Sequence, residues 1–267
     1  MHLGTTIDGL YRLKCPVSLE TSYQDHVTFH QAADGSQSAT IFGGLVGNRT
    51  WTVGYSLMTP RDAMFLSSFT DHKSWYDRGK VCFIPTAGER TNMLTREESG
   101  LSLVPGFMKN PVVTEDGPVF GYVESDEVVR IADQLPLPAS GERRLCLSFY
   151  ADGPVLSRVE YWRGGSNVVN YVLDHHATKS WRREHTVYPA VSEARFVKVF
   201  MRGRFTAPAI TLGEHLYEYG TGTRVGSVLV TPAGDTMQSA RSRGFTHQSY
   251  SKRSFTITEL RNSYEVR

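Results

Sequence analysis

The sequence predicts an all-β protein with one short helix, in which a small N-terminal β-sandwich precedes a C-terminal jelly-roll-like β-sandwich. Three observations predict this class. Glycine is abundant, 24 of 267 residues. Turn dipeptides (Asp8-Gly9, Asp34-Gly35, Gly43-Gly44, Asp116-Gly117, Asp152-Gly153, Gly164-Gly165) punctuate short apolar stretches. Between those turns the apolar residues mostly alternate, as on a half-buried strand.

Taken in order, residues 1–24 are weakly patterned and fit either an extended arm or a first strand pair. "HVTFHQ" and "SATIFGG" flank Asp34-Gly35 and read as a hairpin. "RTWTVGYSL" puts Trp51, Val53, Tyr55 and Leu57 on one face and Thr52, Gly54 and Ser56 on the other. Thr59 and Pro60 then have the chemistry of an N-cap and a first helical residue. Ala63, Phe65, Leu66 and Phe69 follow at helical spacing. A helix of about ten residues is not stable alone, so it must dock on the preceding sheet. "DHKSWYDRG" reads as a loop and "KVCFIP" as a strand stopped by Pro85.

From residue 92 to about 118 the pattern reads as irregular, which predicts a boundary between domains 1–95 and 96–267. The second part then offers "EVVRIAD", "RRLCLSFYAD", "VLSRVEYWRG", "NVVNYVLDH", "KSWRREHTVY", "RFVKVFMRGRF", "AITLGEHLYEYG", "VGSVLVTP" and "SFTITEL". About nine strands without a helical window describe a two-sheet sandwich.

Bulk chemistry narrows function. A net charge of +2 points to neither nucleic acid nor an anionic membrane. No apolar run is long enough to span a bilayer, and the first residues lack a secretory signal pattern, so synthesis in a cytoplasm is expected. Cys15, Cys82 and Cys146 are far apart, which fits reduced, mostly buried thiols and no zinc or redox pair.

The order of "RTWTV" strand, "TPRDA" helix, strand ending "FIP" and "TNML" connector resembles the N-terminal module of distal tail proteins and minor tail proteins of long-tailed (siphovirus-like) actinobacteriophages. The pieces are Arg49–Leu57, Pro60–Phe69, Val81–Pro85 and Thr91–Leu94. The chain departs from that pattern at "VCFI", where an aromatic pair is more usual. "LCLSFYAD", "SWRREHTVYPA", "RFVKVFMRG" and "SFTITEL" resemble the galactose-binding-like, carbohydrate-module-like sandwich that follows in such proteins. The resemblance implies a virion structural protein of the tail tip. Its N-terminal module would form a homo-oligomeric, hexameric ring joining tail tube protein, central hub and peripheral tip proteins. Trp51, Val53, Tyr55, Leu57, Leu66 and Phe69 would be the core and helix of that module.

No motif of nucleophilic, phosphate-binding or zinc chemistry occurs, so no catalytic residues and no enzyme activity are expected. "LDHHAT" places Asp174 and His176 on one strand face with no third ligand nearby, so no metal site is expected there. Glu124–Glu127, "ESDE", offers clustered oxygens for a structural calcium, or simply a solvated turn; no other cofactor is expected. Trp162, at a strand-to-turn junction before "RGGSN", forms with Arg163 and Asn167 a candidate contact to a cell-surface glycan. Trp181 is expected in the core. Arg241–Arg253 mixes four basic residues with Phe245 and Tyr250. It reads as a loop or subunit interface rather than a nucleic-acid site. The rival reading is a glycan-binding module of a receptor-binding device or carbohydrate-active enzyme.

Overall fold

The computed structural model describes residues 1–24, 27–31, 37–41, 48–70, 81–85, 91–177, 180–226, 228–239 and 249–260. Antiparallel strands dominate, as an all-β sandwich class requires. The chain separates into two compact units, Met1–Lys14 with Arg78–Gly226, and Cys15–Asp77 with Ser227–Arg267. This line of division differs from the one expected at 95/96, for reasons of hydrogen bonding given below.

In the larger unit, β1 (His2–Thr5) and β2 (Gly9–Arg12) form a hairpin, and β1 also pairs β7 (Val81–Ile84). The first residues are therefore a strand pair, the second of the two readings open for them. A six-stranded sheet is ordered β11 (Ser166–His176), β10 (Leu145–Arg163), β13 (Phe196–Leu212), β9 (Gly117–Pro136), β8 (Phe107–Thr114), with β12 (Arg182–Tyr188) also on β10. The first half of β10 pairs β12 and the second half pairs β11. "RRLCLSFYAD" and "VLSRVEYWRG" are thus one strand, not two. Asp152-Gly153 is a bulge rather than a reversal, because β13 continues alongside on the other edge. Gly203 makes that possible: its φ is +119°, and a Cβ there would lie 2.4 Å from the carbonyl of Pro154.

The main core lies against the odd-numbered face of β10. Leu147, Phe149, Val155, Val159 and Tyr161 pack with Val123, Leu135, Val199, Met201 and Phe205. A smaller cluster of Val112, Tyr122, Tyr150, Trp181 and Ala207 also forms, with Tyr150 on the opposite face of β10 from Phe149. Trp181 is in the core, as expected.

The stretch 92–118 is more ordered than its composition suggests. A short helix α2 (Arg96–Gly100) starts in a capping box: the Thr95 hydroxyl accepts from Glu98 N–H (3.2 Å) and Thr95 N–H donates to Glu98 (2.8 Å). Strand β8 follows, its Pro111 tolerated on a sheet edge. Asn92 explains why residues 91–95 belong to the larger unit. Its amide donates to Pro208 O (3.1 Å) and Gly220 O (3.0 Å) and accepts from Leu94 N–H (3.1 Å) and Ile210 N–H (3.0 Å). An amide side chain used at all four positions ties a connector down.

In the smaller unit, β3 (Ser18–Gln24), β6 (Asn48–Met58), β15 (Ser249–Glu259) and β14 (Val228–Ser239) form one sheet in the order β14-β15-β6-β3. "VGSVLVTP" and "SFTITEL" therefore complete the sheet of the tryptophan strand rather than the larger sandwich. Strands β4 (Val27–Gln31) and β5 (Gln37–Ile41) pair antiparallel, as expected. Trp51, Val53 and Tyr55 are buried on one face of β6, while Thr52, Gly54 and Ser56 are less so. Leu57 continues this strand; its side chain lies outside the described residues. Helix α1 (Pro60–Ser68) is capped by Thr59, with Pro60 at its start and Ala63, Leu66 and Phe69 buried. Arg253 of β15 donates to Ser67 Oγ (2.8 Å), which ties the helix to this sheet. Residues 240–248 and Asp34-Gly35 lie outside the described residues.

Candidate functional site

Three places in the larger unit concentrate polar chemistry. The first is the β10–β11 hairpin. Its register sets Trp162 opposite Asn167 and Arg163 opposite Ser166, so the three candidate glycan residues do come together. The ring of Trp162 is half-buried. It stacks nearly parallel to Phe196 (centroids 6.3 Å, 9°), and Lys198 Nζ stands 4.3 Å from its centroid. Its Nε1 donates to Glu160 (3.2 Å). Asn167 donates to Asn170 (2.7 Å), and Arg163 is exposed. A cation over an indole face is attracted by the ring's quadrupole. A pyranose would have to displace Lys198 to stack there.

The second is a buried relay. Ser157 Oγ lies 2.7 Å from His175 Nε2 and 2.6 Å from Tyr188 OH. Ser157 bridges the two rings, accepting from one and donating to the other, in the order that the His175 tautomer sets. Burial keeps the imidazole below its ordinary value and raises the Tyr188 phenol to about 12. Phe149 meets the imidazole edge-on (5.0 Å). A hydroxyl bonded to a base resembles an activated nucleophile, yet Ser157 is wholly buried in the sheet. A reacting carbonyl needs a place beside the nucleophile. The relay satisfies buried polar groups. In "LDHHAT", Asp174 and His176 are exposed and His175 is buried, the alternation a strand imposes.

The third is an open cleft of about 650 Å3 lined by Glu115, Asp116, His176, Arg182, Arg183, Glu184, His185 and Leu216. Its floor is fixed. Glu115 accepts from Arg183 N–H (2.9 Å), the Arg183 guanidinium donates to Ser148 Oγ (3.3 Å) and to Tyr217 O, and Tyr150 OH donates to Asp116. Sequence reasoning missed this site because its residues come from the β8–β9 turn, two strands and a distant loop.

"ESDE" lies within β9 rather than in a turn. Glu124 is paired with Arg204 (3.9 Å), and no cluster of three metal-ligating side chains exists among the described residues. No helix among the described residues is long and apolar enough to cross a membrane. No protein-family model, curated protein or solved structure matches this chain.

Proposed function

We propose that this chain is a virion structural protein of a phage tail tip, in which the smaller unit assembles copies into a ring and the larger unit is peripheral. The observation that carries the reading is the open sheet β14-β15-β6-β3 with its helix. Among the described residues β3 pairs only β6, and Val17 and Leu19 are 74% and 40% exposed beside its free edge. An unguarded edge of this kind is a hazard in a monomer and an asset in a closed assembly, where heterologous contacts between copies satisfy it. By resemblance the ring is hexameric and its neighbours are the tube, the hub and other tip proteins; the protein would then reside in the virion after synthesis in the host cytoplasm. The function is assembly rather than catalysis. Trp162, Arg163 and Asn167 are the candidate glycan contact of the peripheral unit.

Light scattering of the full chain tests this. The expected result is a closed oligomer of defined copy number that Leu19→Lys dissociates. A wild-type chain that stays monomeric at all concentrations, alone and with tube protein present, counts against the reading.

A further inference from the structure

We propose that the free edge of β11 pairs with β11 of a second copy of this chain, in an antiparallel, two-fold contact centred on Val172. Among the described residues β11 pairs only β10, so every second residue turns its N–H and C=O away from the sheet. The register on β10 runs unbroken from Val169 to His176; the one irregularity lies at the turn end, between Tyr161 and Trp162. Other edges of the same sheet carry devices that stop strands from pairing. β8 has Lys109, Pro111 and a register break between Met108 and Pro111. β12 carries Arg182, Arg183, Glu184 and His185 in succession. From Ser166 to Leu173, β11 has neither a charge nor a proline, and Val172 and Leu173 are 52% and 40% exposed. An apolar edge without guards is stabilised by a strand that covers it.

The residues of the edge select the occupant, because they match their own reverse. Laid antiparallel on its copy about Val172, the strand sets Val172 against Val172, Tyr171 against Leu173 and Asn170 against Asp174. On the face that Val172 shares with Arg158, two valines cover each other and an amide donates to a carboxylate on either side. On the opposite face, Leu173 covers the edge of Tyr171, which already packs against the main core. Neighbouring registers lose this match. Moving the centre by one residue puts Val172 opposite Asn170 or Asp174. A centre at Asp174 opposes two carboxylates, and one at Asn170 runs into the irregular turn end. The contact goes beyond the ring reading: a ring closes through heterologous contacts of the smaller unit, whereas this pair is isologous and belongs to the larger unit. One strand edge is a small interface, so the pair forms and separates with concentration.

The test is disulfide trapping in the full chain with diamide as oxidant, in a Cys15→Ser background that removes the exposed thiol; Cys82 and Cys146 are buried. Directly opposed residues have Cα atoms about 4.5–5.5 Å apart, within reach of a disulfide. Val172→Cys is therefore expected to give about tenfold more covalent dimer than Val113→Cys on β8, whose thiols meet only by diffusion. Asn170→Cys and Asp174→Cys are each expected to give little dimer alone, since like positions lie about 14 Å apart in this register. Mixed together, the two variants are expected to link to each other. Adding Leu19→Lys is expected to leave all three results unchanged, which separates this contact from the ring. Circular dichroism checks that each variant is folded. The proposal is overturned if Val172→Cys links no better than Val113→Cys, or if Asn170→Cys and Asp174→Cys link as well alone as in the mixture. It is also overturned if Leu19→Lys abolishes the link, since the edge would then be brought together by the ring and not by its own pairing.

Discussion

Each compact unit carries a buried arginine clamped on a glutamate, and the two clamps do different work. In the larger unit Arg224, 5% exposed, gives Nη2 to both Glu98 oxygens (2.8 and 2.7 Å) and Nε to Met93 O (3.0 Å). Glu98 also caps α2, so one carboxylate serves a helix end and a buried charge together. In the smaller unit Arg49, 9% exposed, takes Glu259 bidentately (2.9 and 3.2 Å) while its guanidinium stands 5.2 Å from the centre of the Trp51 ring. The first clamp nails a connector into a core. The second joins the neighbouring strands β6 and β15 of a sheet whose ladder already holds them. Equal geometry does not mean equal consequence: what matters is which other groups lose their partner when the pair is broken.

Removing the carboxylates breaks the comparison open. Glu98→Ala strands a buried guanidinium and an N-cap at once, and is expected to cost about 4 kcal/mol in urea unfolding. Asn92→Ala, which unmakes four bonds of the same connector, is expected to cost about 3 kcal/mol by the same measurement. Glu259→Ala leaves Arg49 a ring to lie on, so about 2 kcal/mol is expected. If Glu259→Ala matches or exceeds Glu98→Ala, the contrast between the clamps is lost.

His175 supplies a pH test confined to the larger unit. Its folded value is lowered by burial, opposed by Glu184 and Asp174 and assisted by His176 and His185. Above about pH 6.5 the imidazole is neutral folded or unfolded and contributes no pH dependence. As pH falls below that value the unfolded chain takes up a proton that the native chain refuses, so stability declines. His175→Leu should flatten this part of a stability-against-pH curve; an unchanged curve would remove His175 as its source. The smallest effect is expected in the smaller unit at Tyr55. Its hydroxyl is buried without a partner among the described residues, and burial, with Asp62 and Cys15 nearby, lifts its value to about 12. Tyr55→Phe should therefore be neutral or slightly stabilising in thermal unfolding, since it deletes an unsatisfied group.

Local features were legible in the sequence. The alternation of Trp51, Val53 and Tyr55 shows because strand burial has period two, and the cap at Thr59-Pro60 shows because capping needs only neighbours. The Trp162 turn is legible for the same reason. The box at Thr95 and Glu98 was equally local, but Gly and Pro nearby masked it. Legibility ended where partners are distant. Nothing near Phe255 or Ile257 states that they pair with Val53 and Trp51, some two hundred residues earlier. Asp152-Gly153 has turn chemistry, and only the presence of β13 alongside makes it a bulge. By itself the sequence determined the all-β class and the inward faces of its strands, because those follow from side-chain period and turn residues. The tertiary structure alone decided which strands share a sheet, how the two units divide the chain, and that Glu115, His176, Glu184 and Leu216 line one cleft, because long-range pairing depends on the whole fold and not on any one window.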